Sequence, residues 1–506
     1  MKHCNSVAAV AVMASLLAAC GTTVPLSARQ GLPADGSSVD TAGSNVQAPQ
    51  QGIVGGSTSN VGAQPSPKSP ATNAGTNRAG QNGALPAGGG TSPGGIPATG
   101  RGWDLKHVYF GVVTQKDFEQ TFATAGYGGI DPGDTQAQSQ AVVDELNRQG
   151  GILGRQIVLR FDDVPTLSSS QNPDTAGAEV CAQFTQDSPV VAVFNIIHTL
   201  DKSAFRACLA KYKVPLFDAA LSVLSNDANK LAPYFYSLGT PTWDVLAPVL
   251  LQRLGAQGYF GGWNARLGQP DATAKPVIGV LTADSPFGHA DEKVLVQDLK
   301  AAGYSRIVTY SYAPPGSEID GAVVSFEQNG VTQVISDDIE LVTFQIHAQS
   351  QNYIPRYSVN TYNAPAVNLT LGPASQQVGD VGVGWGPTFD VSSANDPGAF
   401  SSGVRICKAM MTKGHVSSSD RLADADASLI CDALRFGADA MATGSGFTGN
   451  AIHQGALRDG LTFSSAFTFS SDLGSGRPFL PASVRDLHWV TACKCFRYAN
   501  STSHRM

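Results

Sequence analysis

Eight cysteines, nine histidines and several paired acids are the residues of this 506-residue chain that could support catalysis or bind a metal. They do not form a known reactive motif. The sequence has no HExxH zinc motif, no Walker A loop, no GxGxxG loop that follows a predicted strand and no GxSxG elbow between a strand and a helix. The acids Asp162 and Asp163 end a predicted strand, where a structural role is more common than a catalytic one. We therefore expect no enzymatic activity, no cofactor and no metal.

The first twenty residues have the composition of a secretory signal. Lys2 gives a positive start, an apolar run covers about 7–17, and small residues precede Cys20. Leu-Ala-Ala-Cys at 17–20 resembles the bacterial lipobox, which implies cleavage before Cys20 and a lipid on its thiol. The alternative is an ordinary signal peptide with a cysteine near its end. We expect an extracytoplasmic protein that is anchored to the bacterial cell membrane through the Cys20 lipid.

The next eighty residues predict a disordered tether. Residues 21–102 consist mostly of Gly, Ser, Pro, Ala, Thr, Asn and Gln, and no aromatic residue precedes Trp103. Such a segment buries too little apolar area to offset the entropy of ordering it. We expect it to hold a folded domain away from the membrane.

The remaining composition narrows the class of protein. The net charge is −7, the sequence pI is about 5.7, and no long Lys/Arg run is present, so a dedicated nucleic-acid binder is not expected. Beyond the N-terminus no apolar stretch approaches the roughly 20 residues of a membrane span. The chain length predicts two to four domains, at roughly 100–200 residues per domain.

The six cysteines of the folded part predict disulfides, because an even number in an exported chain is typical of them. The first four lie on successive predicted helices and pair as Cys181 with Cys208 and Cys407 with Cys431. The remaining pair, Cys493 and Cys495, lies two residues apart in a predicted strand, near the upper limit of distance for a bridge. A metal site there is the alternative, although no histidine lies at a usable spacing.

Strand and helix patterns alternate twice along the chain. The first series runs through 107–220 and the second through 276–359, with a bridging stretch between them. Alternating βα units predict parallel sheets with right-handed crossovers. The region 395–460 is mostly helical in pattern, and 484–498 reads as strands.

Several segments resemble, in order, the type 1 periplasmic binding proteins, and most closely the group that binds branched-chain amino acids. That group implies a two-lobed α/β clamshell of two parallel sheets flanked by helices, with three hinge crossovers and a ligand between the lobes. The segments are GGILGRQIVLRFDD (150–163), VPLFDAALS (214–222), YFYSLGTPT (234–242), VLTADSPFGHA (280–290) and VGVGWGPTF (381–389).

The resemblance predicts the limits of the lobes. Lobe 1 comprises residues 103–240 and 388–472, and lobe 2 comprises residues 241–387 and 473–500. Residues 501–506 form a tail.

Lobe 1 supplies two loops to the implied site. The loop after the third strand carries a small hydroxyl in the family, so His198 and Thr199 are candidates here, although a loop histidine is often simply exposed. In the next loop Ala219 and Ala220 match the family. Leucine stands at the position of the family threonine, and Ser222 follows one residue late.

Lobe 2 supplies the remaining candidates. Phe287 stands at the family's aromatic position and either covers the ligand or only packs. Ser336 and Asp337 occupy the loop that in the family reads Tyr-Gly-Gly. Carboxylates there suit a cationic or hydroxyl-rich ligand, although Asp338 equally fits a helix cap.

The last candidates depart most from the family. Thr361 and Tyr362 stand where it places a glutamate for the ligand ammonium, and Trp385 either lines the cleft or packs the hinge. Phe118, Phe122 and Tyr127 in the first loop either border the cleft or pack locally.

We therefore expect a monomeric solute-binding lipoprotein that delivers a small molecule, other than a standard α-amino acid, to the permease subunits of an ABC importer. The first alternative is a clamshell sensor that signals to a membrane partner. The second is an envelope interaction protein that has lost ligand binding.

Overall fold

The computed structural model describes most of the chain beyond the predicted tether. The described residues are 96–124, 130–197, 204–221, 226–231, 233–313, 318–418 and 420–506. The predicted signal peptide, Cys20 and residues 21–95 lie outside them. The described part is of mixed α/β class and contains two large sheets, as the sequence predicts.

The first half of the chain forms a five-stranded parallel sheet flanked by helices, which we call lobe 1. Its strand order is β2-β1-β3-β4-β5. The central strands are buried on both faces, which explains why their sequences are continuously apolar. The elements are β1 (His107–Lys116), α1 (Phe118–Thr124), α2 (Thr135–Arg148), β2 (Gln156–Pro165), α3 (Thr166–Gln171), α4 (Pro173–Ala182), β3 (Ala192–Asn195), α5 (Ala204–Lys211), β4 (Leu216–Asp218) and β5 (Phe235–Ser237).

The middle of the chain forms the second sheet and its helices, which we call lobe 2. Strands β9-β8-β10-β11-β12 are parallel in that order. The elements are α6 (Trp243–Ala256), β6 (Trp263–Asn264), β7 (Gln269–Pro270), β8 (Ile278–Ala283), α7 (Pro286–Ala301), β9 (Ile307–Tyr312), α8 (Ile319–Gln328), β10 (Gln333–Ser336), α9 (Leu341–Ser350), β11 (Arg356–Asn360), α10 (Pro365–Asn368) and β12 (Val381–Gly384).

The chain then returns to lobe 1 and ends in lobe 2. Helix α13 lies against α2, β3 and β4 of the first sheet, and the final strands extend the second sheet in antiparallel fashion. Asp420 caps α13 by accepting a hydrogen bond from the amide of Ala423 at 3.0 Å. The elements are α11 (Pro387–Asp390), α12 (Ser402–Lys413), α13 (Arg421–Thr443), α14 (Gly449–Asp459), β13 (Ser483–Val490), β14 (Cys495–Tyr498) and β15 (His504–Arg505).

The chain passes between the two sheets three times, which confirms the predicted clamshell with three crossovers. The first passage leads from β5 to α6, the second from β12 to α11, and the third from α14 to β13. The first and third run side by side: the amide of Ser237 donates to the carbonyl of Pro478 at 2.7 Å, and its own carbonyl accepts from Leu480 at 2.9 Å.

Both ends of the predicted folded region extend further than the sequence suggests. Residues 96–102, assigned to the tether, contact lobe 1: Arg101 donates to the carbonyls of Thr185 and Tyr212, each at 2.8 Å. Residues 501–506, assigned to a tail, include β15, which pairs with β13. Short polar segments like these have no periodic pattern that marks them as ordered.

All three predicted cysteine pairs are disulfides. The Cα–Cα distances are 6.3 Å for Cys181–Cys208, 5.8 Å for Cys407–Cys431 and 5.2 Å for the last pair. The prediction that Cys493 lies in a strand is wrong, because it lies in the turn between β13 and β14. Lys494 has a positive φ of 49° there, and this bend brings the two cysteines closer than an extended strand does.

Candidate ligand-binding cleft

The carboxyl ends of the parallel strands in each lobe carry most of the predicted site residues. In open α/β sheets ligands bind in the crevice outside these ends. Ala219 and Ala220 follow β4 in lobe 1, whereas Ser336 ends β10 in lobe 2 and Asp337 follows it. His198, Thr199 and Ser222, and also Tyr127, lie outside the described residues.

A buried charge network holds the strand ends of lobe 1. Asp218, at the end of β4, accepts hydrogen bonds from Arg206 at 2.7 Å and 3.2 Å on one oxygen. Its other oxygen accepts from Asn195 Nδ2 at 3.0 Å and from the amide of Ala220 at 3.2 Å. The side chains of Arg206 and Asp218 are only 4% and 2% exposed, so their interaction is only weakly screened. The network fixes the backbone of Ala219 and Ala220, whose side chains are themselves buried.

The corresponding face of lobe 2 is acidic. Asp337 and Asp338 follow β10, Asp244 lies in the first turn of α6, and Asp291 lies on α7. Burial raises the pKa of Asp291 well above its usual range, and the carboxyl groups of Asp337, Asp244 and Asp338 raise it further. Tyr312 also approaches this group, with its hydroxyl 3.4 Å from Asp338 Oδ2. An accumulation of carboxyl groups around one loop disfavours an anionic ligand there.

Phe287 lies at the start of α7, directly after the cap. Ser285 caps the helix by accepting from the amide of Gly288 at 3.1 Å. Phe287 is half-buried and belongs to neither of the hydrophobic clusters formed by the described residues. Phe287 is therefore not part of the hydrophobic core.

Trp385 lies in the second crossover, and Thr361 and Tyr362, which follow β11, contact the crossovers. The indole of Trp385 donates to the carbonyl of Gly239 at 2.7 Å, and the hydroxyl of Tyr362 donates to the carbonyl of Pro241 at 2.6 Å. All three side chains are 2% exposed or less. Of the two roles considered for Trp385, its contacts in this structure are those of hinge packing.

Aromatic edges and a buried carboxyl complete this hinge. The ring of Tyr362 meets those of Trp243 and Trp385 edge-on, with centroids 5.9 Å and 5.3 Å away. Thr361 accepts from the amide of Trp385 at 2.9 Å and is hydrogen-bonded to Asp390. Burial raises the pKa of Asp390 to about 7, although its contacts with Tyr498, Thr361 and the amide of Gly386 favour the ionised form.

The first loop of lobe 1 contributes a small cavity. Phe118 and Phe122 stack on each other with ring centroids 4.4 Å apart. Phe118 also lines a cavity of about 20 Å³ together with Ile197 and Asp426, among others. The volume is about that of one water molecule.

The described residues provide neither a metal site nor a membrane-spanning helix. No group of three or more His, Cys, Asp or Glu among them is arranged to hold a metal. No helix in the described ranges is both long and apolar enough to cross a membrane.

A family model matches the middle of the chain. Residues 125–353 match the family of periplasmic binding proteins. The chain has the fold of the type 1 periplasmic binding proteins. No curated protein matches the chain in sequence.

Solved structures agree with the fold. A branched-chain amino acid ABC transporter protein from Thermus thermophilus with bound valine is 12% identical, covers 79% of this chain and 96% of its own, and has a TM-score of 0.57. An ABC transporter solute-binding protein from R. palustris in complex with 4-hydroxybenzoate is 12% identical, with coverages of 79% and 97% and a TM-score of 0.56. A branched-chain amino acid substrate-binding protein from Streptococcus pneumoniae with isoleucine is 13% identical, with coverages of 79% and 99% and a TM-score of 0.54.

Several residues around the cleft were not singled out from the sequence. Asp244 and Asp291 belong to helices, and no local signal shows that they approach the strand ends. Arg206 looks like an ordinary surface residue of α5 until β4 places Asp218 beside it. For Asp390, the only signal is a carboxylate four residues after the Gly-Trp-Gly of the second crossover.

Proposed function

We propose that this chain is an extracytoplasmic solute-binding lipoprotein, which captures a small molecule between its lobes and delivers it to an ABC importer. The observation that carries the proposal is the pair of parallel sheets joined by three crossovers, with polar side chains at the strand ends of both lobes. Closure of such lobes excludes water and selects a form that a permease can recognise. The chain acts as a monomer, and the cleft between its lobes binds the ligand without changing it chemically.

We propose that the ligand is cationic or rich in hydroxyl groups and is not a standard α-amino acid. Two solved relatives hold valine and isoleucine, and another holds 4-hydroxybenzoate. In this chain Thr361 and Tyr362 replace the glutamate expected to bind an amino-acid ammonium, and both are engaged at the hinge. The acidic group around Asp337 and Asp338 offers a different recognition surface. In this proposal Phe287 covers an apolar part of the ligand.

Anchoring belongs to the same proposal. The Leu-Ala-Ala-Cys motif places the lipid on Cys20, and the segment that follows has the composition of a tether. Such a tether lets the clamshell diffuse near the membrane while it stays close to its permease.

One observation favours the second alternative, an envelope interaction protein without a ligand. The side chains at three positions expected to line the cleft, Thr361, Tyr362 and Trp385, are fully engaged in contacts within the chain. An interaction protein needs only the shape of the lobes. A ligand screen separates the two functions.

The test is thermal unfolding of the chain without its signal peptide, with Cys20→Ser and disulfides intact, against amino acids, polyamines, aromatic acids, sugars and polyols. A ligand at 100 times its Kd adds about 2.7 kcal/mol to the free energy of unfolding. We expect a dose-dependent rise in Tm with one compound class, and loss of that rise in Phe287→Ala and Asp338→Asn. Asp298→Asn, at the opposite end of α7, is the matched control, and the ligand should still raise its Tm. No rise with any class would contradict the importer function.

A further inference from the structure

The hairpin between β13 and β14 carries a disulfide whose two sulfur atoms have different surroundings. Val490 pairs with Cys495, which closes the hairpin, and Cys493 lies in the intervening turn. Cys493 is exposed, whereas Cys495 is only 6% exposed at the start of β14. A thiol in solution therefore reaches one sulfur more easily than the other.

The buried sulfur has a hydrogen-bond donor beside it. Asn395 Nδ2 lies 3.1 Å from Cys495 Sγ and also donates to the hydroxyl of Ser392 at 2.9 Å. An N–H group directed at a sulfur stabilises a thiolate more than a neutral disulfide sulfur, because the bond becomes charge-assisted. Cys495 is thus the better leaving group of the two.

The surface around the hairpin favours the approach of a thiolate. Lys494 separates the two cysteines and is exposed, and Arg497 follows on β14. Arg497, Arg485 and Asn395 line an open depression of about 390 Å³. Positive charge near a disulfide raises the local concentration of thiolates and lowers the pKa of the departing thiol.

The ring that this disulfide closes is small. It joins residues two positions apart, whereas the other two disulfides join residues 27 and 24 positions apart. A short ring removes little entropy from the unfolded chain, so little folding free energy opposes its opening. Cys181 and Cys431 are fully buried, which shields the other two disulfides from attack.

We propose that the Cys493–Cys495 disulfide is a thiol–disulfide exchange site that oxidises dithiols outside the cytoplasm. A thiolate of the dithiol attacks Cys493 Sγ, a new S–S bond forms, and the Cys493–Cys495 bond breaks. Its electron pair leaves on Cys495 Sγ, where Asn395 donates to the thiolate. The second thiolate of the dithiol then attacks its own bridged sulfur and releases Cys493. The dithiol becomes a disulfide, and its two electrons and two protons pass to Cys493 and Cys495.

The first test is equilibration of the folded, full chain with graded ratios of dithiothreitol to its oxidised form, followed by alkylation and peptide mass spectrometry. Trypsin cleaves after Lys494, so the two cysteines are read on separate peptides. We expect Cys493 and Cys495 to be half reduced at a ratio at least about tenfold lower than the other four disulfide-bonded cysteines require. Simultaneous reduction, or later reduction of this pair, would overturn the proposal.

The second test addresses the difference between the two sulfurs. We expect Asn395→Ala to slow reduction of the pair by glutathione roughly three- to tenfold, because the leaving thiolate loses its donor. Asn500→Ala, in the same depression, is the matched control and leaves the rate unchanged. In single variants, Cys493 left free by Cys495→Ser should react with glutathione disulfide at least about tenfold faster than Cys495 left free by Cys493→Ser. Equal rates in either comparison, with unchanged circular dichroism, would contradict the assigned roles.

Discussion

The hydroxyl of Tyr362 donates to the carbonyl oxygen of Pro241 at 2.6 Å, which ties the end of a lobe 2 strand to the first crossover. The neighbouring Trp385 makes the equivalent bond to Gly239, so two aromatic side chains hold the same backbone segment. The hinge of this clamshell is therefore a packed aromatic cluster with directed hydrogen bonds. Substitutions there should change stability in ways that surface substitutions do not.

Tyr362→Phe should lower the free energy of unfolding by about 1–2 kcal/mol, because the buried carbonyl of Pro241 loses its donor while the ring packing remains. Urea unfolding followed by circular dichroism measures the change. Tyr310→Phe is the matched control: that hydroxyl lies 3.3 Å from its acceptor in an exposed position, so we expect a change below about 0.5 kcal/mol. Equal losses in the two variants would contradict the hinge role of Tyr362.

Asp390 should make stability depend on pH. Its pKa is about 7 in the folded chain, and about 3.9 is the value for an unfolded aspartate. The folded state then binds the proton more tightly, so this group's contribution to stability falls as pH rises from about 4 to about 7 and then levels off.

Asp390→Asn should remove this contribution and keep the size of the side chain. We expect the variant and the original chain to have the same free energy of unfolding near pH 4. At pH 8 the variant should be more stable by about 2–4 kcal/mol, because the folded and unfolded pKa values of Asp390 differ by about three units. Urea unfolding at both pH values measures the difference. A stability difference that does not change with pH would refute the assignment.

Asp218→Asn should destabilise lobe 1 by about 3–5 kcal/mol, because it leaves the guanidinium of Arg206 buried without its countercharge. Asp284→Asn is the control, since its pair with His289 is 62% exposed on the Asp284 side and should contribute less than about 1 kcal/mol. The free energy of unfolding of both variants is obtained from the midpoint of urea unfolding, with the dependence on urea concentration held at the same value. A loss at Asp218 no larger than that at Asp284 would show that the network is not structural.

The disulfides should rank by the length of chain that they close. Replacing Cys181 and Cys208 with alanine should cost about 3–4 kcal/mol, and replacing Cys493 and Cys495 about 1–2 kcal/mol, from the chain-entropy relation. Urea unfolding of the two double variants tests the order. The reverse order would mean that the last hairpin contributes far more than its short ring suggests.

Local sequence predicted the fold well because strands such as β3 and β8 are short, continuously apolar and separated by helical patterns. The cysteine pairs could also be predicted, because four cysteines lie on successive predicted helices and two remain. The hinge roles of Tyr362 and Trp385 did not, because their acceptors lie 121 and 146 residues away and are backbone atoms. Only part of the acidic face of lobe 2 could be predicted from the sequence. Asp337 and Asp338 lie at the end of a predicted strand, but Asp291 approaches them through helix packing that no local pattern shows.

The central claim is that one small molecule is held between the two lobes, and equilibrium binding of the compound identified by thermal unfolding tests it most directly. Thr199→Ala alters lobe 1 and Phe287→Ala alters lobe 2, while Asp298→Asn serves as the control. We predict that each of the first two raises Kd at least about tenfold, which corresponds to 1.4 kcal/mol, and that the control leaves it unchanged. Unchanged affinity in either lobe variant would mean that the compound does not bridge the lobes.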